Sequence, residues 1–111
     1  MYVENVKSQM RKGMLEYSIM LLLRGKPRYT SDIIEELERA NLIVVEGTLY
    51  PLLTRMKNEG YLTYRWQEST GGPPRKYYAL TPEGQTLLGQ LDTEWVAIQH
   101  SIQQVTNQST Q

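Results

Sequence analysis

Glu46-Gly47-Thr48-Leu49-Tyr50-Pro51-Leu52-Leu53, then Gly60-Tyr61-Leu62, then Gly71-Gly72-Pro73-Pro74-Arg75-Lys76-Tyr77-Tyr78-Ala79-Leu80-Thr81-Pro82-Glu83-Gly84: these residues decide the fold of the chain. Leu49, Leu52, Leu53 and Met56 recur at the spacing of one helix face, and Gly60 offers a left-handed stop, which predicts a helix from Glu46 to Glu59. Leu62, Tyr64 and Trp66 then alternate with Thr63 and Arg65, as in a half-buried strand over Tyr61 to Trp66. The alternation returns from Lys76 to Leu80 after a Gly71-Gly72-Pro73-Pro74 turn. A helix face and a basic hairpin tip thus stand side by side, an arrangement that suits the groove of a duplex.

Outward from this stretch, a first helix is expected from near Glu4 to Arg24, with Met10, Met14, Tyr17 and Leu21 on one stripe. Gly25-Lys26-Pro27 ends it. Thr30 is placed to cap a second helix, with Asp32, Glu35 and Glu36 in its first turns and Ile33, Ile34 and Leu37 facing inward. On the other side, Thr81-Pro82-Glu83 opens a last helix with a cap, a proline at the first helical position and an early acid. The fold class is mainly α (α+β): a winged helix-turn-helix (α-α-α-β-β) over 1–80 and a long C-terminal helix over 81–106. Residues 107–111 are polar and are expected to form a disordered tail.

The chain has 111 residues, the size of one domain, and 40% of them are hydrophobic, enough for a modest core. No apolar run approaches a membrane span, no secretory signal is visible, and the expected setting is cytoplasmic. Without cysteine there is neither disulfide nor thiolate metal site. Net charge is zero but unevenly spread. Residues 1–28 hold six Lys/Arg against two acids and 47–80 hold five against two, while 29–46 hold one against five and 81–111 none against three. A basic face built from the first and third segments survives the neutral total, because phosphate attraction depends on charge within a Debye length of about 8–10 Å.

Off its core stripe the third helix carries Thr48, Pro51 and Arg55 on one flank and Tyr50, Thr54 and Lys57 on another. Hydroxyls and cations of this kind suit base edges and nearby phosphates. Arg75 and Lys76 beside the hairpin tip suit a wing laid along the backbone or minor groove.

Leu88, Leu91, Trp95, Ile98, Ile102 and Val105 repeat at three- and four-residue steps, a seam that calls for a second surface. A second copy of the chain is the expected partner, with Val6 and Met10 of the first helix joining the contact. Trp95 lies mid-seam, where it could form with Met10 and Tyr17 a slot for a planar aromatic compound. His100 is the lone histidine and no nucleophile motif is present, so no catalytic residue, metal site or cofactor is expected.

Gly13-Met14-Leu15-Glu16, Thr48-Leu49-Tyr50-Pro51-Leu52-Leu53, the run from Gly72 to Thr81, and Gly84 together resemble the PadR-like transcriptional regulators in their short form. The resemblance spans about residues 10 to 100 and implies a winged-helix repressor acting as a homodimer through its N- and C-terminal helices. It implies a recognition helix carrying Gly47, Thr48, Tyr50, Pro51, Thr54, Arg55 and Lys57, with Thr30 and Ser31 at the start of helix two. Gly72, Arg75 and Lys76 then belong to the wing. One subgroup senses planar drugs with a tryptophan at the place of Trp95, whereas the founding members respond to phenolic acids. Both effector classes stay open. The chain departs from the family at Tyr29-Thr30-Ser31-Asp32-Ile33, where Tyr-Gly-Tyr-Glu-Ile is usual, and at Val45, where a capping serine is usual.

The functional expectation is a dimeric regulator of a pseudo-palindromic double-stranded operator, a repressor relieved by a small aromatic effector. The alternatives are a winged-helix protein-interaction module and a protein whose main role is to bind a small molecule.

Overall fold

The computed structural model describes residues 1–109. Helix α1 (Tyr2–Leu23) leads through a two-residue strand β1 (Arg28–Tyr29) into α2 (Thr30–Arg39) and α3 (Glu46–Asn58). Strands β2 (Leu62–Ser69) and β3 (Gly72–Leu80) form the hairpin, and α4 (Pro82–Ser109) closes the chain. The winged helix-turn-helix is therefore the observed fold. β1 is an addition to the expected order: it pairs antiparallel with β3, making a three-stranded sheet ordered β1-β3-β2. A two-residue strand has no period to read, so nothing in the sequence announces it.

One core unites all four helices and the sheet. Ile19, Met20 and Leu23 of α1 meet Ile33 and Leu37 of α2, Leu49, Leu53 and Met56 of α3, Leu62 and Tyr78 of the sheet, and Leu88 of α4. The two exits that follow glycine logic behave as expected. Gly60 has φ +90 just beyond α3, and the Thr81 hydroxyl accepts the Gly84 N–H at 3.0 Å while donating to the Gly60 carbonyl at 2.6 Å.

Four local expectations are corrected. Thr30 is not the cap of α2 but its first residue, and it is buried. Tyr29 holds the cap position with extended backbone, and the Asp32 carboxylate accepts its N–H at 3.4 Å. The hairpin turn is Thr70-Gly71, with Gly71 at φ +75, and the proline pair lies inside β3. Prolines cannot donate to a ladder, and the register slips by one residue there: Gln67 faces Arg75 but Ser69 faces Gly72. Arg75 and Lys76 consequently sit a few residues into β3 instead of where the strand leaves the turn. Finally, α4 continues as helix through Asn107 to Ser109, so the tail expected from 107 does not begin there, and residues 110–111 lie outside the described residues. Val45 caps α3 without any side-chain hydrogen bond, in keeping with the absent serine. Among the described residues no helix is long and apolar enough to cross a membrane.

Candidate nucleic-acid interface

Because Leu49, Leu53 and Met56 anchor α3 in the core, its opposite side is presented outward: Gly47, Thr48, Tyr50, Pro51, Thr54, Arg55 and Lys57 are all exposed. The two flanks face different neighbours. Thr48, Pro51 and Arg55 border a groove against Lys12, Leu15 and Glu16 of α1. There Arg55 is ion-paired to Glu16, so its guanidinium is turned to α1 and the expected groove-reading role is not supported by its position. Tyr50 and Lys57 lie on the hairpin side, with the Lys57 ammonium 5.8 Å from the centre of the Tyr64 ring.

Strand pairing sorts the hairpin into two faces, each a lattice of rings and cations. On one, the Tyr29 and Tyr77 rings pack at a tilt of 43° with centroids 4.7 Å apart, Arg65 lies 5.2 Å over Tyr77 and Arg75 lies 4.0 Å over Tyr29. On the other, Lys76 stands 4.5 Å from the Tyr64 ring and 5.5 Å from Trp66. Such contacts hold a long cationic side chain flat while leaving its charge available. Burial along this second face falls from Leu62 and Tyr78 to Trp66, which is 61% exposed. Tyr29, Arg65 and Trp66 were not among the residues singled out from sequence. Trp66 and Arg65 stand in the strand alternation read from the sequence, and their place at its polar end beside Arg75 and Lys76 was the available signal, but Tyr29 depends on β1.

These pieces meet in one cleft of about 280 Å³, bordered by Ser31 at the start of α2, Tyr50 of α3, and Trp66, Arg75 and Lys76 of the hairpin. Gly72 lies apart, at the first position of β3 beyond the turn. Thr30 also borders the cleft, but its side chain is packed into the fold.

The C-terminal seam divides. Leu88 is buried in the core, and Leu91 and Trp95 are half-buried against α1, with the Trp95 and Tyr17 rings 6.5 Å apart. Ile98, Ile102 and Val105 are exposed at 39%, 62% and 61%. Val6 and Met10 on the outer part of α1 are exposed as well. Tyr17, Trp95, Met14 and Leu91 line a cavity of about 340 Å³ between α1 and α4. Met10 is not in it, because it lies a turn further out on α1 and is 69% exposed.

Behind that cavity the Tyr17 hydroxyl donates to Asp92, which also pairs with Arg24. The Tyr17 hydrogen bond, reinforced by Arg24, holds the Asp92 carboxyl below its usual range, and the same bond raises the Tyr17 phenol. Burial raises the Tyr78 phenol in the core.

The sequence profile of the transcriptional regulator PadR-like family matches residues 19–90. A solved PadR-like transcription factor from Bacteroides fragilis is 61% identical, with a TM-score of 0.78 across 91% of this chain and 98% of that one. A PadR family transcriptional regulator from Eggerthella lenta is 29% identical with a TM-score of 0.80, covering 94% and 88% of the two chains. Bacillus subtilis PadR, solved in complex with operator DNA, is 26% identical with a TM-score of 0.65, over 69% of this chain and 45% of its own length.

Proposed function

Because the chain belongs to the PadR-like family of transcriptional regulators, which are not enzymes, we propose that it binds operator DNA as a homodimer and represses transcription. In this reading a small planar aromatic compound relieves the repression, and the protein acts in the cytoplasm. The observation that carries DNA binding is the single cleft shared by Ser31, Tyr50, Arg75 and Lys76, beside the exposed Thr48 and Thr54 of α3. A duplex entering there places α3 in the major groove and the wing along the adjoining backbone. The likeness to Bacillus subtilis PadR, a protein solved on its operator, supports that docking.

Residues 1–80 form the DNA-binding unit in this proposal and α4 the dimerisation helix. Exposed Val6, Met10, Ile98, Ile102 and Val105 form apolar surface that a second copy would cover. Two-fold symmetry then calls for a pseudo-palindromic operator with half-sites about one helical turn, or a multiple, apart. The effector is assigned to the α1–α4 cavity with its Tyr17 and Trp95 rings.

The test is fluorescence anisotropy with the duplex upstream of the chain's own coding sequence, at moderate salt and with competitor DNA. Preference for that duplex, lost on adding a planar aromatic compound, supports the proposal. Equal binding to competitor overturns operator recognition, and a complex indifferent to every such compound overturns the effector.

A further inference from the structure

We infer that Tyr29 is a positioning residue for duplex binding, its ring holding the Arg75 guanidinium as one wall of a seat for a single backbone phosphate. The inference rests on the DNA-binding reading and adds to it a residue that contributes no charge of its own.

Tyr29 stands where three elements join. Its backbone is paired with Tyr77 in the sheet, its N–H is accepted by Asp32 at the start of α2, and its ring is packed 4.7 Å from that of Tyr77. A ring packed against Tyr77 and tied through its backbone to the sheet and to α2 gives the Arg75 guanidinium, 4.0 Å from its centre, a floor. Stacked this way, a guanidinium keeps its in-plane N–H groups free for two parallel bonds to a phosphate and has less rotational freedom to lose when it makes them. Without the floor Arg75 is an exposed side chain on the exposed first half of β3.

The rest of the seat borders the same cleft. Ser31 and Tyr50 offer hydroxyls, and Lys76, held over Tyr64 and Trp66, supplies a second positive charge. The α2 acids Asp32, Glu35 and Glu36 border a separate groove on the other side of Tyr29 and Tyr77, in company with Lys26 and Arg39, and none of them lines this cleft. The cleft, about 280 Å³, has volume enough for a phosphodiester group. Tyr29 thereby couples the wing to α2, so that one phosphate is met by both at a fixed separation.

The experiment measures binding to a mixed-sequence duplex of about 30 base pairs across roughly 50–200 mM salt, where phosphate contacts dominate. Tyr29→Leu is expected to weaken binding about two- to fivefold, the scale of an exposed cation–π contact, and to lower the salt slope by about one. Tyr29→Phe, which keeps the ring, should retain both values, and Tyr29→Leu should cost nothing further in an Arg75→Ala background.

Wild-type binding by Tyr29→Leu at every salt, damage by Tyr29→Phe equal to that of Tyr29→Leu, or additive losses in the double variant each overturn the inference and leave DNA binding standing. A wild-type protein that binds no duplex at the lowest salt overturns both. Should Tyr29→Leu fail to fold, the Arg75 Nε–H resonance of the wild-type protein decides. It should lie upfield from the ring current and move on adding duplex, and a resonance showing neither refutes the stacked seat.

Discussion

The Tyr17 hydroxyl donates a 2.6 Å hydrogen bond to Oδ1 of Asp92, joining the middle of α1 to the middle of α4. Arg24 pairs with the other oxygen of the same carboxylate. The folded Asp92 pKa is lowered, so this contact stabilises the docking of α4 above the unfolded value, near 3.8, and the contribution is lost as pH falls through the depressed folded value. For Tyr17 the folded pKa is raised, so its share is complete below the unfolded value of 10.0 and is lost as pH rises through the higher folded one. Urea denaturation across pH should show both shoulders. Asp92→Asn should remove the acid shoulder, and an unchanged acid limb would show that Asp92 does not act this way.

Replacing Arg75 and Lys76 together by Ala should weaken binding to every duplex about equally and lower the salt slope by about one, since both cations border the same cleft and are assigned to one phosphate. Anisotropy titrations at several salt concentrations give the slope directly. A slope equal to that of the wild type would take the wing out of the DNA contact.

Gly84 and Gly89 sit five residues apart on α4 and should respond oppositely to alanine. A Cβ at Gly84 would collide with the Tyr61 carbonyl oxygen, whereas at Gly89 it would meet nothing within 4 Å. Gly84→Ala is expected to destabilise by about 1–3 kcal/mol through overpacking. Gly89→Ala should stabilise by up to about 1 kcal/mol through helix propensity. Thermal melts followed by circular dichroism distinguish the two, and a loss of stability at Gly89→Ala would reveal a close neighbour that the single chain does not contain.

Ile102→Asp with Val105→Asp should convert the proposed dimer to a monomer in sedimentation analysis without unfolding it, since both side chains are exposed in the single chain. A dimer that persists would place its contact elsewhere.

In a Trp66→Phe background, a planar aromatic effector in the α1–α4 cavity should quench the remaining Trp95 emission. Quenching of equal depth in a variant that retains Trp66 and carries Trp95→Ala would move the site off the cavity.

The helices and the hairpin were legible in the sequence because each rests on a local signal. Leu49, Leu53 and Met56 mark a buried stripe, and Gly60 and Thr81 mark ends that the structure reproduces in detail. What escaped was set by non-local pairing. The β1–β3 pairing that brings Tyr29 beneath Arg75 joins segments nearly fifty residues apart, and no periodicity encodes it. The turn was misplaced by the Gly71-Gly72-Pro73-Pro74 run, whose prolines were absorbed by a register slip inside the strand. Arg55 read as a cation on an outward face because Glu16, its partner, lies on another helix. The C-terminal seam was visible as a pattern, but its division into a docked half and an exposed half depends on how far α1 packs alongside it.

The ion pair between Arg55 and Glu16 has a consequence for how the protein would respond to its surroundings. With that guanidinium engaged by α1, the outward side of α3 around Thr48, Tyr50 and Thr54 offers mainly neutral hydroxyls with Lys57 at its hairpin edge, while the cations Arg65, Arg75 and Lys76 belong to the hairpin. Grip and choice of site are then carried by different chemistries. On the proposed reading, a change in salt concentration would alter how long the protein stays on a duplex far more than which sequence it prefers.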